Sequence, residues 1–315
     1  MNAVGDARER RETVARLLAA ESIDRSTRNY EGAWRLVDSA AGADGRSPVV
    51  RRAREALAMQ WLRNARGSDD QDLASLARRL QNVVSTGAAE ATGTYRADLL
   101  AHIGWANFLI DRYGALDLDR RAALDSALAI DSANVYAHSM HGFLAAWRPA
   151  DIPRARSHFT RALASGRERP YVRDLQVTAY INARSAESWA NLLRVADEMR
   201  REGAELGPGG VAELRTIYHS GLFSSDERDS VVHAIPPAAH VALIQWVFAD
   251  ELARRGAYYD ELTLALAIFE ERAGRPDQAL AAYRELVARD SLPPRRQLIR
   301  DGVQRLSGVR LATPR

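Results

Sequence analysis

The sequence predicts an all-α chain made of stacked antiparallel helical hairpins, an α-solenoid of seven or eight pairs. Three observations predict it. Apolar residues recur at spacings of three and four along most of the 315 residues, which is the period of one helix face. No segment alternates cleanly, and no Asn-Gly or Asp-Gly turn lies between β-branched runs, so strand signals are absent. Glycine and alanine sit inside the helical patterns, where a crossing helix needs room.

Residues 1–5 read as a frayed end. Arg8 to Glu21 predicts a helix with Val14, Leu17 and Leu18 inward. Thr27 to Ala41 predicts a second through Tyr30, Ala33, Trp34 and Val37, closed by Gly42 and Gly45. Ser47-Pro48 is an N-cap followed by proline at the first helical position, opening a helix to about Arg66. Ser68 and Gln71 form a capping box for another, to about Val84. These four helices predict an irregular N-terminal cap over residues 1–90. Ser85 to Thr94 reads as a turn-rich linker.

The central region, residues 91–203, carries the clearest pattern. Between Asn134 and Gly166, Ala137, Met140, His141, Leu144 and Ala145 share one helix face, and Gly142 predicts a closely crossing partner. Pro149 ends that helix, Asp151 caps the next, and Ala155, Phe159 and Ala162 alternate small and large. Pro170 to Asn182 and Ala186 to Glu202 predict a further hairpin. Glu205-Leu206-Gly207-Pro208-Gly209-Gly210 is the strongest break, a candidate boundary or hinge. Residues 211–315 then hold Val211 to Phe223, a capping box at Ser224 and Glu227, and one long helix after Pro236-Pro237 through Val241, Ile244, Trp246, Phe248 and Leu252. Tyr259 to Arg272 and Pro276 to Asp290 predict the last hairpin, and Arg295 to Leu306 a polar terminal cap. Tryptophans at 61, 105, 147 and 189 recur about every 43 residues, close to a long hairpin period.

These residues resemble the tetratricopeptide repeat, a pattern of W-x2-L-G-x2-Y, A-x3-F and P over about 34 residues. His141-Gly142 and Ile103-Gly104 stand at L-G, and Ala123 with Ala127-Leu128 follow in the partner of the latter. Ala155 and Phe159 stand at A-x3-F, as do Ala279 and Tyr283 after Gly274-Arg275-Pro276-Asp277. The resemblance covers roughly 95–200 and 258–290. The first-helix aromatic is missing at Asn134 to Gly166, and the loop from Tyr113 to Leu118 is longer than the pattern. The resemblance implies a right-handed superhelix whose first helices line a concave groove that binds a protein or peptide.

Composition narrows the chemistry. There is no cysteine, which excludes disulfides, thiolate catalysis and cysteine-ligated metal. There is no lysine either, all 44 basic residues being arginine, which excludes Schiff-base and phosphate-loop lysine chemistry. The net charge of +3 is interleaved with 41 acids, as on solvated helix faces, so no nucleic-acid partner is expected. Arg295, Arg296 and Arg300 form the one local excess. No apolar run approaches the ~18 residues of a membrane span, and no signal-peptide core stands at the N-terminus. The expectation is a cytoplasmic chain without membrane insertion, or the soluble extracytoplasmic part of a membrane-anchored protein.

Candidate reaction groups read as structural. His138 and His141, three apart, with His158 on the partner helix, lack the acid that completes a metal set, so no metal or cofactor is expected. Asp117/Asp119 and Asp226/Glu227/Asp229 sit at helix starts, where acids favour the helix dipole. Gly207 to Gly210 lacks the strand and lysine of a phosphate loop. No G-x-S-x-G or H-E-x-x-H is present. The groove implied by the resemblance assigns partner-binding roles to exposed residues of first helices: Trp105, Asn107, Asp111, Arg112, His138, Arg173, Gln176 and Tyr180. The known lysine clamp for C-terminal carboxylates does not carry over, but an arginine version is chemically open. The expected function is a non-enzymatic interaction scaffold, resembling the repeat regions of bacterial signalling proteins. The alternative is a ligand- or peptide-responsive regulator switching about Gly207–Gly210.

Overall fold

The computed structural model describes residues 9–20, 29–44, 47–65, 70–114, 116, 118–221 and 231–308. Every regular element among them is helical, with no strand. None of these helices is long and apolar enough to cross a membrane. The chain divides into two compact units, Met1–His141 with Ser157–Arg167, and Gly142–Arg156 with Glu168–Arg315.

The first unit opens with α1 (9–20), α2 (Tyr30–Asp44), α3 (Pro48–Asn64), α4 (Asp70–Glu90), α5 (Gly93–Ile110) and α6 (Ala122–Ile130). From α2 to α6 each helix packs on the next in sequence, and α3 also meets α5. The next two helices, α7 (Val135–Ala146) and α8 (Ile152–Ala164), each contribute residues to both units. The second unit continues with α9 (Arg169–Ala183), α10 (Ala186–Glu202), α11 (Pro208–Thr216), α12 (Pro237–Val247), α13 (Ala249–Arg255), α14 (Asp260–Arg272), α15 (Pro276–Ala288) and α16 (Arg296–Ser307). Here α9 pairs with α10, α14 with α15, and α15 with α16.

Two glycines mark close helix crossings, one of them at the Ile103-Gly104 step of the repeat pattern. A Cβ on Gly104 of α5 would stand 2.7 Å from Leu124 Cγ of α6, so these helices cross at the distance only glycine allows. A Cβ on Gly302 would stand 2.7 Å from the Tyr283 ring. That ring is buried with Ala279, Leu286, Leu264, Ala267, Ile299 and Val303 in the core of the last three helices. Ala155, Phe159 and Ala162 of α8 are fully buried. Helix α7 is buried all round rather than on one face, as a helix enclosed by neighbours is.

Four expectations need correction. Val14 and Leu18 do not point inward: they are 49% and 61% exposed and border an open apolar groove of about 440 Å³ with Val37, Val49 and Leu57. The linker from Ser85 to Thr94 is mostly helix, because α4 continues to Glu90. Its Gly87 is not a turn residue, since a Cβ there would stand 2.5 Å from Glu55 Oε1. Third, the long helix after Pro237 is two, broken at Phe248, whose φ and ψ are −108° and 18°. No glycine or proline marks that break, and Phe248 is buried with the Arg215 guanidinium 5.5 Å from its ring. Last, Val211 to Phe223 is not one regular helix: α11 passes into a π turn over Ile217–Gly221. The capping boxes read at Ser68 and Ser224 lie outside the described residues. One that the sequence reading missed caps α10, where Ser185 and Ser188 exchange side-chain and backbone hydrogen bonds.

Gly207 is the N-cap of α11 at φ −63° and ψ 161°, extended backbone open to any residue. A Cβ on Gly210 would stand 2.6 Å from Leu206 Cδ1 and 3.2 Å from Val177 Cγ1, so packing is what requires that glycine.

Candidate functional site

Six of the eight residues assigned to the groove are buried, not exposed: Trp105, Asp111, His138, Arg173, Gln176 and Tyr180. Asn107 and Arg112 are half-buried. Several of them have polar atoms taken up inside the helical packing. Trp105 donates its indole N–H to Leu62 O at 3.1 Å. Asn107 donates to Asp119 O at 2.9 Å and accepts from Gln81. The carboxylate of Asp111 accepts from the Leu116 and Leu118 N–H groups at 3.1 and 3.2 Å, with Arg120 at 3.9 Å. It ties down the long loop after α5. Arg173 donates to Gln176 Oε1 at 3.0 Å and Glu202 Oε1 at 2.7 Å, and pairs with Glu198 at 2.9 Å. Hydrogen bonding from Arg169 holds the Glu202 carboxyl down at about 2. Burial raises the Tyr180 phenol. Trp105, Asn107, Asp111, Arg112 and His138 belong to the first unit, and Arg173, Gln176 and Tyr180 to the second.

The three histidines do meet within the first unit. His138 and His158 face each other with Nδ1 atoms 3.1 Å apart, and His158 stacks on His141 at 5.0 Å between ring centroids. No group of three or more side chains arranged to hold a metal occurs among the described residues. Asp119 caps α6, accepting from the Ala122 and Arg121 N–H groups at 2.9 and 2.8 Å, and those bonds lower its carboxyl pKa. Asp117, Asp226, Glu227 and Asp229 lie outside the described residues.

An arginine-lined cleft lies where no sequence motif points. A cleft of about 700 Å³ is walled by α2, α3 and α4 of the first unit, within the range of about 300–1,000 Å³ usual for ligand sites. Four arginines reach it, Arg35 from α2, Arg51 and Arg54 from α3, and Arg79 from α4, with Trp34 at its floor. The guanidiniums are steered by indoles. Arg54 and Arg79 lie 5.2 and 5.5 Å from the Trp34 ring, and Arg79 is 4.8 Å from Trp61. Trp61 in turn stacks on Tyr30 at 5.6 Å.

Three of the four, Arg51, Arg54 and Arg79, meet an acid on one side. Arg79 pairs with Glu31 at 3.0 Å and Arg54 with Asp38 at 3.1 Å, while Arg51 reaches Glu90 and lies 3.7 Å from Glu55. A guanidinium carries five N–H donors, so one acid contact leaves donors for a ligand. The Arg54 Nε is buried without a hydrogen-bond partner, and Arg35 is exposed. Glu55 anchors the wall: it is buried, and accepts the Tyr95 hydroxyl at 2.5 Å. Burial, then that hydrogen bond, raises the phenol pKa. The sequence signal for this site was only the mixed-charge run Arg51-Arg52-Ala53-Arg54-Glu55. Compared with known proteins, the chain matches no family model, no curated protein and no solved structure.

Proposed function

We propose that this chain is a non-enzymatic interaction scaffold, a tetratricopeptide-type solenoid in bacterial signalling or regulation. It holds a carboxylate-bearing peptide of a partner protein in the cleft of α2, α3 and α4. The observation that carries the reading is the set of arginines held over Trp34 with donors to spare. Arginine grips carboxylates bidentately, and a stacked guanidinium gives up less freedom on binding. Glu31, Asp38 and Glu55 in the same walls repel a continuous polyphosphate chain. A peptide suits the mixture, since its carboxylates are discrete and its amide N–H groups match the acids. The seams at Gly104 and Gly302 support the repeat-type packing.

The test is fluorescence anisotropy with labelled peptides that carry two or three acidic residues, set against neutral versions. Each charge-assisted hydrogen bond is worth roughly 1.5–3 kcal/mol, so Arg54→Ala and Arg79→Ala should each weaken binding about tenfold or more, and added salt should weaken it further. Equal binding of neutral peptides, or binding indifferent to both substitutions, would sink the proposal.

A further inference from the structure

The cleft already contains the kind of group its arginines bind. Glu31, Trp34, Arg35 and Asp38 of α2 line it, at the spacings of three and four that set residues on one helix face. Glu31 takes Arg79 of α4 at 3.0 Å and Asp38 takes Arg54 of α3 at 3.1 Å, with Trp34 between the two acids on that face. All four partners are open to water, between 40% and 53% exposed. Ion pairs so exposed contribute little to a fold's stability. Helix α2 is held instead by its apolar residues: Ala33, Trp34, Val37 and Ala40 are buried. Glu55 differs, being buried and fixed by the Tyr95 hydroxyl. It stays in the wall, while the two α2 acids are free to exchange.

We propose, resting on the peptide reading above, that Glu31 and Asp38 are tethered stand-ins for two carboxylates of the partner peptide. They hold Arg79 and Arg54 in the empty cleft and give them up to the guest. As competitors they set its affinity, and their placing shows its pattern. Seven residues along a helix cover about 10.5 Å. Both guanidiniums lie within 5.5 Å of the Trp34 ring, so they are no more than about 11 Å apart. An extended peptide with three residues per turn returns every third side chain to one face, about 9.3 Å further on. Two turns of a helix with its side chains fill on the order of 1,000 Å³, more than the cleft of about 700 Å³. The guest is therefore an extended segment with acids at its first and fourth positions. Glu31 and Asp38, once released, accept its amide N–H groups.

The test is fluorescence anisotropy on the whole chain with two labelled peptides of one composition, one with glutamates at its first and fourth positions and one with them adjacent. The spaced peptide should bind about tenfold more tightly, because adjacent acids engage one arginine at a time. Asp38→Asn and Glu31→Gln should each tighten its binding about two- to fivefold, the worth of an exposed ion pair. Asp277→Asn removes an exposed acid outside the cleft and should leave binding unchanged. Equal binding of the two peptides, or no tightening in either α2 variant, would overturn the proposal. Equal tightening by Asp277→Asn would overturn it too, since net charge alone would then be at work. The peptide pair is read on the native chain, so it decides even where a variant folds poorly. A native chain that binds neutral peptides as well as acidic ones fails the peptide reading itself, whereas one that prefers acids but ignores their spacing fails only the stand-in role.

Discussion

Gly87 and Glu55 fit one inside the other: the α4 backbone at 87 passes where a Cβ would stand 2.5 Å from the Glu55 carboxylate. That carboxylate is held by the Tyr95 hydroxyl and cannot move without loosening the bond. Gly87→Ala should gain about 1 kcal/mol of helix propensity and lose about 1–3 kcal/mol to overpacking. The expected net change is a loss of about 1 kcal/mol, with the Tyr95 bond weakened. Urea unfolding of Gly87→Ala and of Gly87→Ala/Tyr95→Phe checks it. A stabilised single variant would show that the wall yields freely.

The α5–α6 seam predicts a compensating pair. Gly104→Ala forces a methyl onto Leu124 and should cost about 1–3 kcal/mol. Leu124 is fully buried, so Leu124→Ala should cost about 2–5 kcal/mol. Together they should cost less than the sum, because the added methyl occupies the space the leucine leaves. A double-mutant cycle with additive losses would contradict the contact.

Acid should weaken the second unit in two windows. His240 is buried and stacks on Phe269 at 4.0 Å, with the Tyr218 hydroxyl on Nδ1 at 3.0 Å and the Val232 carbonyl on Nε2 at 3.1 Å. Burial drives its pKa down to about 4, so the fold holds it neutral. The stability it contributes is whole above about 6.5 and lost as pH falls toward about 4, an effect on the order of 3 kcal/mol. Glu202 has the same sign in a lower window, from its ordinary 4.5 down to about 2. Unfolding free energy followed from pH 7 downward should show the first loss in the native chain, and a shallower one in His240→Gln.

Arg173 predicts unequal partners. Its side chain is only 4% exposed, and it contacts Glu202 at 2.7 Å and the more exposed Glu198 at 2.9 Å. Glu202→Gln removes the carboxylate shared with Arg169 and should cost about 1.5–3 kcal/mol. Glu198→Gln should cost about 0–1 kcal/mol, as exposed pairs do. Thermal unfolding of both variants decides the order.

The helices were legible because period, caps and prolines are local signals. Asp151 with Pro153 opens α8, and Pro276 opens α15. The break at Phe248, where no glycine or proline stands, and the π turn at Ile217, which carries the buried Tyr218, were not. Exposure was misread for the groove set because several of its polar groups are taken up by partners far along the chain. Trp105 meets a carbonyl 43 positions earlier, and Arg173 a carboxylate 29 later. The cleft was illegible for the same reason. Its arginines sit in ordinary mixed-charge runs, and only the packing of three helices aims them at one space.

The guanidiniums over Trp34 and Trp61 carry one consequence beyond recognition. An indole's emission depends on the charge beside its ring, so a guest that draws Arg54 or Arg79 away rewrites the colour and brightness of that light. The molecule thus holds its own optical gauge of occupancy, readable without a dye, and Trp34→Phe would dim it.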